Sequence, residues 1–143
     1  ITIYYEHETG TDQIDAGGVV TPILAEITSG DFDITQKRAP QGQIIGAGVD
    51  LRGDGEYLMK IRRFLPDFIT QTGDTRITLM LRNYPNNAAA GSSLGPFTIT
   101  SSTDKIDTRA RARAIALKIE NTAAAQDWKL GTFRLDIQPD GRR

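Results

Sequence analysis

The sequence predicts an all-β domain, an antiparallel β-sandwich or jelly-roll-like fold with short strands and long polar loops, and three observations predict it. Glycines and prolines divide the chain into short apolar segments. Those segments are rich in Ile, Val, Thr, Tyr and Phe, side chains that pack well on a pleated surface. Several alternate apolar and polar residues with a period of two, the pattern of a strand with one face buried. Many short strands separated by turn residues characterise sandwiches and barrels. The 143 residues are 38% hydrophobic and 24% charged, within the globular range. That length suits one domain able to bury a core without crosslinks, so residues 1–143 are read as a single β domain. Because the chain begins at Ile1 rather than Met, it reads as a fragment of a longer polypeptide, or the ordered part of one.

The elements follow in order. Strand-like segments are expected at Ile1–Glu6, Val19–Thr28, Phe32–Thr35, Ile44–Leu51, Tyr57–Phe64, Arg76–Arg82, Pro96–Thr100, Ala114–Glu120 and Trp128–Ile137. Alternation is cleanest in Arg76–Leu81, which puts Ile77, Leu79 and Leu81 on one face, and in Tyr57, Met59 and Ile61. Turn chemistry marks the gaps: Asp31 and Asp33 around Phe32, the Gly46–Gly48 pair, and Asp54–Gly55 as a hairpin signal. Asn86–Ser93 is small and polar and reads as an exposed loop. The segment Arg109–Glu120 holds strong helix formers, yet its neighbours all read as β. As a strand it would set Arg109, Arg111 and Arg113 on one side with Ile115, Leu117 and Ile119. Alanines, Lys118 and Glu120 would take the other side. Such a strand makes sense if it passes from one environment to another, or carries a bulge, so that arginines project and later residues enter the core.

Composition removes several classes of function. With no cysteine there is no disulfide framework, thiolate zinc site or cysteine nucleophile. No run approaches the roughly 18 apolar residues of a membrane span, and no signal peptide is visible. The formal charge is −1, but it is unevenly divided. Residues 1–59 hold ten acids and three bases, whereas residues 60–143 hold eight acids and fourteen bases. Such asymmetry can orient subunits head to tail in an assembly.

Catalytic constellations are not legible. His7, between Glu6 and Glu8, is the only histidine; one isolated imidazole more simply occupies a strand surface than a metal or base site. Ser29, Ser92, Ser93, Ser101 and Ser102 lack a nucleophile-elbow context. Asp50, Asp54 and Glu56, and separately Asp31 and Asp33, form small carboxylate groups. Their spacing is not that of an EF-hand loop, and Arg52 interrupts the first. Turn chemistry accounts for both. GAGVDLRGDG (Gly46–Gly55) lacks a P-loop lysine. The expectation is therefore a non-enzyme with no cofactor and no metal. The residues of interest are basic: Arg62, Arg63, Arg109, Arg111, Arg113, Arg142 and Arg143. They can face DNA phosphates, pair with carboxylates of a neighbouring subunit, or pair within the chain with Asp104, Asp107, Glu120 and Asp136.

Three segments carry a resemblance: GDGEYLMKIRRFLPDF (Gly53–Phe68), GPFTITSSTDKIDTRARARAIALKIEN (Gly95–Asn121) and WKLGTFRLDIQPDGRR (Trp128–Arg143). An alternating-arginine strand, a polar link, a Trp–x–x–Gly turn and an Arg–x–Asp strand ending in Gly–Arg–Arg follow one another. This order resembles the C-terminal region of structural tail proteins (tube, nozzle or hub type) of short-tailed bacteriophages. Where that pattern often shows glycine and a polar residue, this chain has Ala112 and Ala114. The resemblance implies a virion protein of the tail, assembled in the host cytoplasm and present as a ring of copies. Its implied partners are other tail or portal and adaptor proteins, with transient contact with phage DNA during ejection. It implies no catalytic residues. A binding module is the rival expectation, either glycan-recognising at the host surface or a capsid or tail decoration. Tyr84 beside Pro85 and the Asn86–Ser93 loop are its only candidate site. A lytic enzyme would need an acid–base pair that the sequence does not display.

Overall fold

Residues 10–34, 57–84 and 91–142 are described by the computed structural model, and among them every regular element is a strand. In chain order these are β1 (Asp12–Ile14), β2 (Val20–Pro22), β3 (Glu26–Thr28), β4 (Tyr57–Leu65), β5 (Phe68–Thr72) and β6 (Thr75–Arg82). They are followed by β7 (Ser93–Ile99), β8 (Ile106–Ala112), β9 (Ala114–Glu120), β10 (Asp127–Leu130) and β11 (Arg134–Arg142). All pairings are antiparallel. A three-stranded sheet has the order β11-β4-β8, and a four-stranded sheet has the order β3-β9-β6-β7. Strands β5 and β10 form a separate ribbon, as do β1 and β2.

Alternation places the core between the two larger sheets. Met59, Ile61 and Phe64 of β4 with Ala110 and Ala112 of β8 are buried on one layer. Ile77 and Leu79 of β6, Ile99 of β7, and Ile115, Leu117 and Ile119 of β9 are buried on the other, in the same apolar cluster. Two inner faces sharing one apolar interior is the sandwich arrangement. Phe64 bridges the layers: its ring meets Phe97 of β7 edge-on at 5.5 Å and stacks on Phe133 at 5.5 Å.

The expected Tyr57–Phe64, Arg76–Arg82 and Ala114–Glu120 strands are present as β4, β6 and β9. Val19–Thr28 divides into β2 and β3, and Trp128–Ile137 divides into β10 and β11. Phe32–Thr35 contributes only a single bridge from Phe32 to Ile115 among the described residues. Strands β1 and β5 are additions that the sequence did not announce. Ile1–Glu6, Ile44–Leu51 and the Asp54–Gly55 turn lie outside the described residues.

Two features carry the chain between layers. Strands β4 and β5 bend together with β10 and β11 at Pro66–Asp67 and Gly131, so one long antiparallel ribbon turns a corner. There the Gly131 amide donates to the Asp67 carbonyl at 2.7 Å, and a Cβ at position 131 would stand 2.8 Å from that oxygen. The glycine of the Trp–x–x–Gly turn is thus required by backbone contact. The second crossing is at Arg113, whose amide donates to the Arg82 carbonyl at 3.1 Å. Before it, Ala110 and Ala112 are buried and Arg109 and Arg111 exposed; after it, Ile115, Leu117 and Ile119 are buried. The inward parity therefore shifts by one residue at Arg113. The expected passage from one environment to another is present, as two strands: β8 belongs to one sheet and β9 to the other.

Candidate functional site

The outer face of the three-stranded sheet gathers most of the basic residues singled out in the sequence. The register sets Lys60 of β4 opposite Arg111 of β8 and Gln138 of β11, and Arg63 opposite Asp107 and Asp136. At the ladder break between Ile61 and Arg63, Arg62 is the extra residue opposite β11. This lets Arg62 and Arg63 both point away from the core, between buried Ile61 and Phe64. The face thus carries six bases, Lys60, Arg62, Arg63, Arg109, Arg111 and Arg134, against three acids, Asp107, Asp136 and Asp140.

Two of the arginines are paired within the chain. Arg63 Nε donates to Asp107 Oδ1 at 2.7 Å, and Arg111 Nε donates to Asp140 Oδ2. The first pair raises the Arg63 pKa and holds the Asp107 carboxyl below its ordinary range, chiefly through that hydrogen bond. Both pairs are well exposed, so water and salt screen them and each contributes little to stability. Arg62 and Arg109 are exposed and make no ion pair among the described residues. They leave the unneutralised charge of this face.

The remaining expectations separate clearly. Asp107 is an intramolecular partner as expected, and Asp140 is one that the sequence did not suggest. Glu120 instead accepts from Lys118, which also reaches Glu26, each at 2.9 Å. These two carboxylates raise the Lys118 pKa, Glu120 first. Asp104 makes no ion pair among the described residues and lines a cleft instead. Arg113 sits at the crossing between sheets, its amide donating to the Arg82 carbonyl. Arg142 pairs in register with Tyr57 at the end of β11, and Arg143 lies outside the described residues. Sequence reasoning passed over Lys60 and Arg134. Lys60 shares the alternation of β4, and Arg134 opens the Arg–x–Asp strand, so both signals were available.

Other candidate chemistry is sparse among the described residues. Asp31 is tied to Arg82 at 3.0 Å, and no group of three or more His, Cys, Asp or Glu is placed to hold a metal ion. His7, Asp50, Asp54 and Glu56 lie outside the described residues. An open cleft of about 460 Å³ sits at the corner between the layers, lined by Leu65, Asp67, Ile69, Thr100, Asp104 and Arg134 among others. Trp128 packs edge-on against Phe68 at 6.2 Å, so it serves packing. Tyr84 is 70% exposed at the end of β6. No helix among the described residues is long and apolar enough to cross a membrane.

No protein-family model matches the chain, and no curated protein matches it. The residues themselves therefore carry the functional argument.

Proposed function

We propose that this chain is a non-enzymatic structural protein of a bacteriophage virion, a multi-copy component of a short tail acting in tail assembly and the DNA conduit. Its working surface is the basic outer face of the three-stranded sheet. One observation supports this most. The three segments resembling short-tailed phage tail proteins contribute β4, β8 and β11, all the strands of the sheet that bears that face. Asp107, Asp136 and Asp140 interleave with the bases. A protein surface can match both signs of such a mixed face. The face is accordingly assigned to a neighbouring subunit, and DNA contact is transient.

Cryo-electron microscopy of intact particles tests this reading. A ring of copies around the tail axis, with the basic face against a neighbour, is the expected density. Peripheral or fibre-tip density would favour the host-surface glycan-binding module instead. Exposed Tyr84 is the feature on which that second reading rests.

A further inference from the structure

The apolar residues that remain exposed are not scattered. Of the nine large hydrophobic side chains exposed among the described residues, Ile14, Val19, Val20, Ile23, Leu24 and Ile27 all fall within fourteen residues of β1–β3. Each is about half to two-thirds exposed. Single exposed apolar residues are ordinary, but six together mark a contact surface.

This N-terminal arm is also held in shape. Asp15 Oδ1 accepts from the amides of Gly17 and Val19 at 2.8 Å each, closing the β1–β2 turn. Buried Asn121 pins the base, its Oδ1 accepting from the Ala25 amide at 2.5 Å and its Nδ2 donating to the Ile23 carbonyl at 3.0 Å. Asp12 Oδ2 accepts from the Ala125 amide at 2.7 Å. An apolar element ordered before it meets a partner loses little entropy on docking.

Charge identifies the partner. Residues 10–34 hold five acids and no lysine or arginine; Glu26 and Asp31 are paired with Lys118 and Arg82, while Asp12 and Asp15 at the β1–β2 end make no ion pair among the described residues. The basic face with its unpaired Arg62 and Arg109 is the complement, and exposed Leu65 and Ile69 lie at one end of it beside Arg134, on the corner cleft. Asp67 and Asp104 also line that cleft, so the attraction resides in the arginines next to it. The arm springs from β3, an edge of the four-stranded sheet, whereas the basic face is the outer surface of the other layer.

We infer that the arm of one copy docks on the basic face of a second copy, its apolar residues against Leu65 and Ile69 and its β1–β2 end, with Asp12 and Asp15, toward Arg62 and Arg109. Such a contact joins two different surfaces, so it repeats head to tail and closes into a ring where the rotation permits. The inference rests on the proposed multi-copy role and supplies the interface for it.

The chain has no cysteine, so paired thiols report the contact against a clean background. Val20→Cys and Ile69→Cys, each at an exposed site, are made singly and together in the full 143-residue chain, and folding is checked by circular dichroism. The double variant, oxidised or treated with a short thiol crosslinker, is expected to give a ladder of dimers, trimers and larger species. A mixture of the two single variants is expected to stop at a heterodimer. In sedimentation, Val20→Ser should weaken self-association of the otherwise unaltered chain about tenfold, the loss for withdrawing one buried valine. Crosslinking of Val20→Cys to itself would show arm against arm and overturn the inference, as would a crosslink confined to one monomer. Oligomers of the unaltered chain that persist in Val20→Ser and yield no arm-to-face crosslink would sink the interface but leave the multi-copy role standing. A chain that stays monomeric at every concentration would sink both.

Discussion

At the scale of single residues, the Arg63–Asp107 pair shows how a charge is tuned without contributing much stability. The guanidinium lowers the Asp107 pKa below the ordinary aspartate value of about 3.9. What the pair adds is therefore present above about pH 4 and lost as pH falls through the lowered value. A carboxyl-carbon NMR titration should place the Asp107 midpoint below 3.9, and Arg63→Gln should return it toward that value; equal midpoints in both proteins would dismiss the pairing. Lys118 behaves with the opposite sign. Its pKa is raised by Glu120 and Glu26, so its contribution is complete below about pH 10 and fades as pH rises through the raised value. Gly131 is a steric case. Because an added Cβ would stand 2.8 Å from the Asp67 carbonyl oxygen, Gly131→Ala must push the ribbon corner open. A loss of about 1–3 kcal/mol in urea unfolding is expected; a neutral result would mean the corner relaxes freely. The glycine was legible in the sequence as part of a turn. That it marks a backbone contact with Asp67 was not, since 64 positions separate the two.

At the scale of elements, two devices organise the molecule. The first is the crossing at Arg113. Helix-forming alanines and arginines in β8 and β9 yield to strand because each half gains a sheet neighbour, β4 for one and β6 for the other. Tertiary packing overrides local propensity here. Alternation on either side of Arg113 was readable, and so was a change of environment along the segment, but which sheet each half joins was not, because that depends on strand order. The second device is Asn121, which satisfies both a donor and an acceptor of the arm. Asn121→Ala removes both bonds and is expected to cost about 1–3 kcal/mol. Hydrogen exchange at the Ala25 amide should accelerate while exchange in β6 stays slow; unchanged exchange at Ala25 would show that β3 alone holds the arm.

At the scale of the whole molecule, stability rests on the core between the layers, and the surfaces proposed for assembly lie outside it. Phe64 is fully buried between the layers and touches Phe97 and Phe133. Phe64→Ala is expected to cost about 3–5 kcal/mol in chemical denaturation, with a smaller loss indicating that the layers collapse onto the space. Reversing Arg62 and Arg109 to glutamate should leave unfolding within about 0.5 kcal/mol, since neither is buried or paired among the described residues. The same double variant should lower self-association in sedimentation, and more at low salt than at high salt. Arg111 and Arg113 are poorer probes, because Arg111 is bound to Asp140 and Arg113 sits at the crossing. Loss of fold in the Arg62 and Arg109 variant would move the basic face from assembly to stability.

What the sequence determined by itself was the class of fold, most of its longer strands and the presence of a basic patch. These depend on local alternation, turn residues and charge counting. The tertiary structure alone decided which arginines share a face, which carboxylates neutralise them, and that the exposed apolar arm springs from the other sheet than the basic face. Those facts follow from strand order and register, which pair residues tens of positions apart and leave no local trace in the chain.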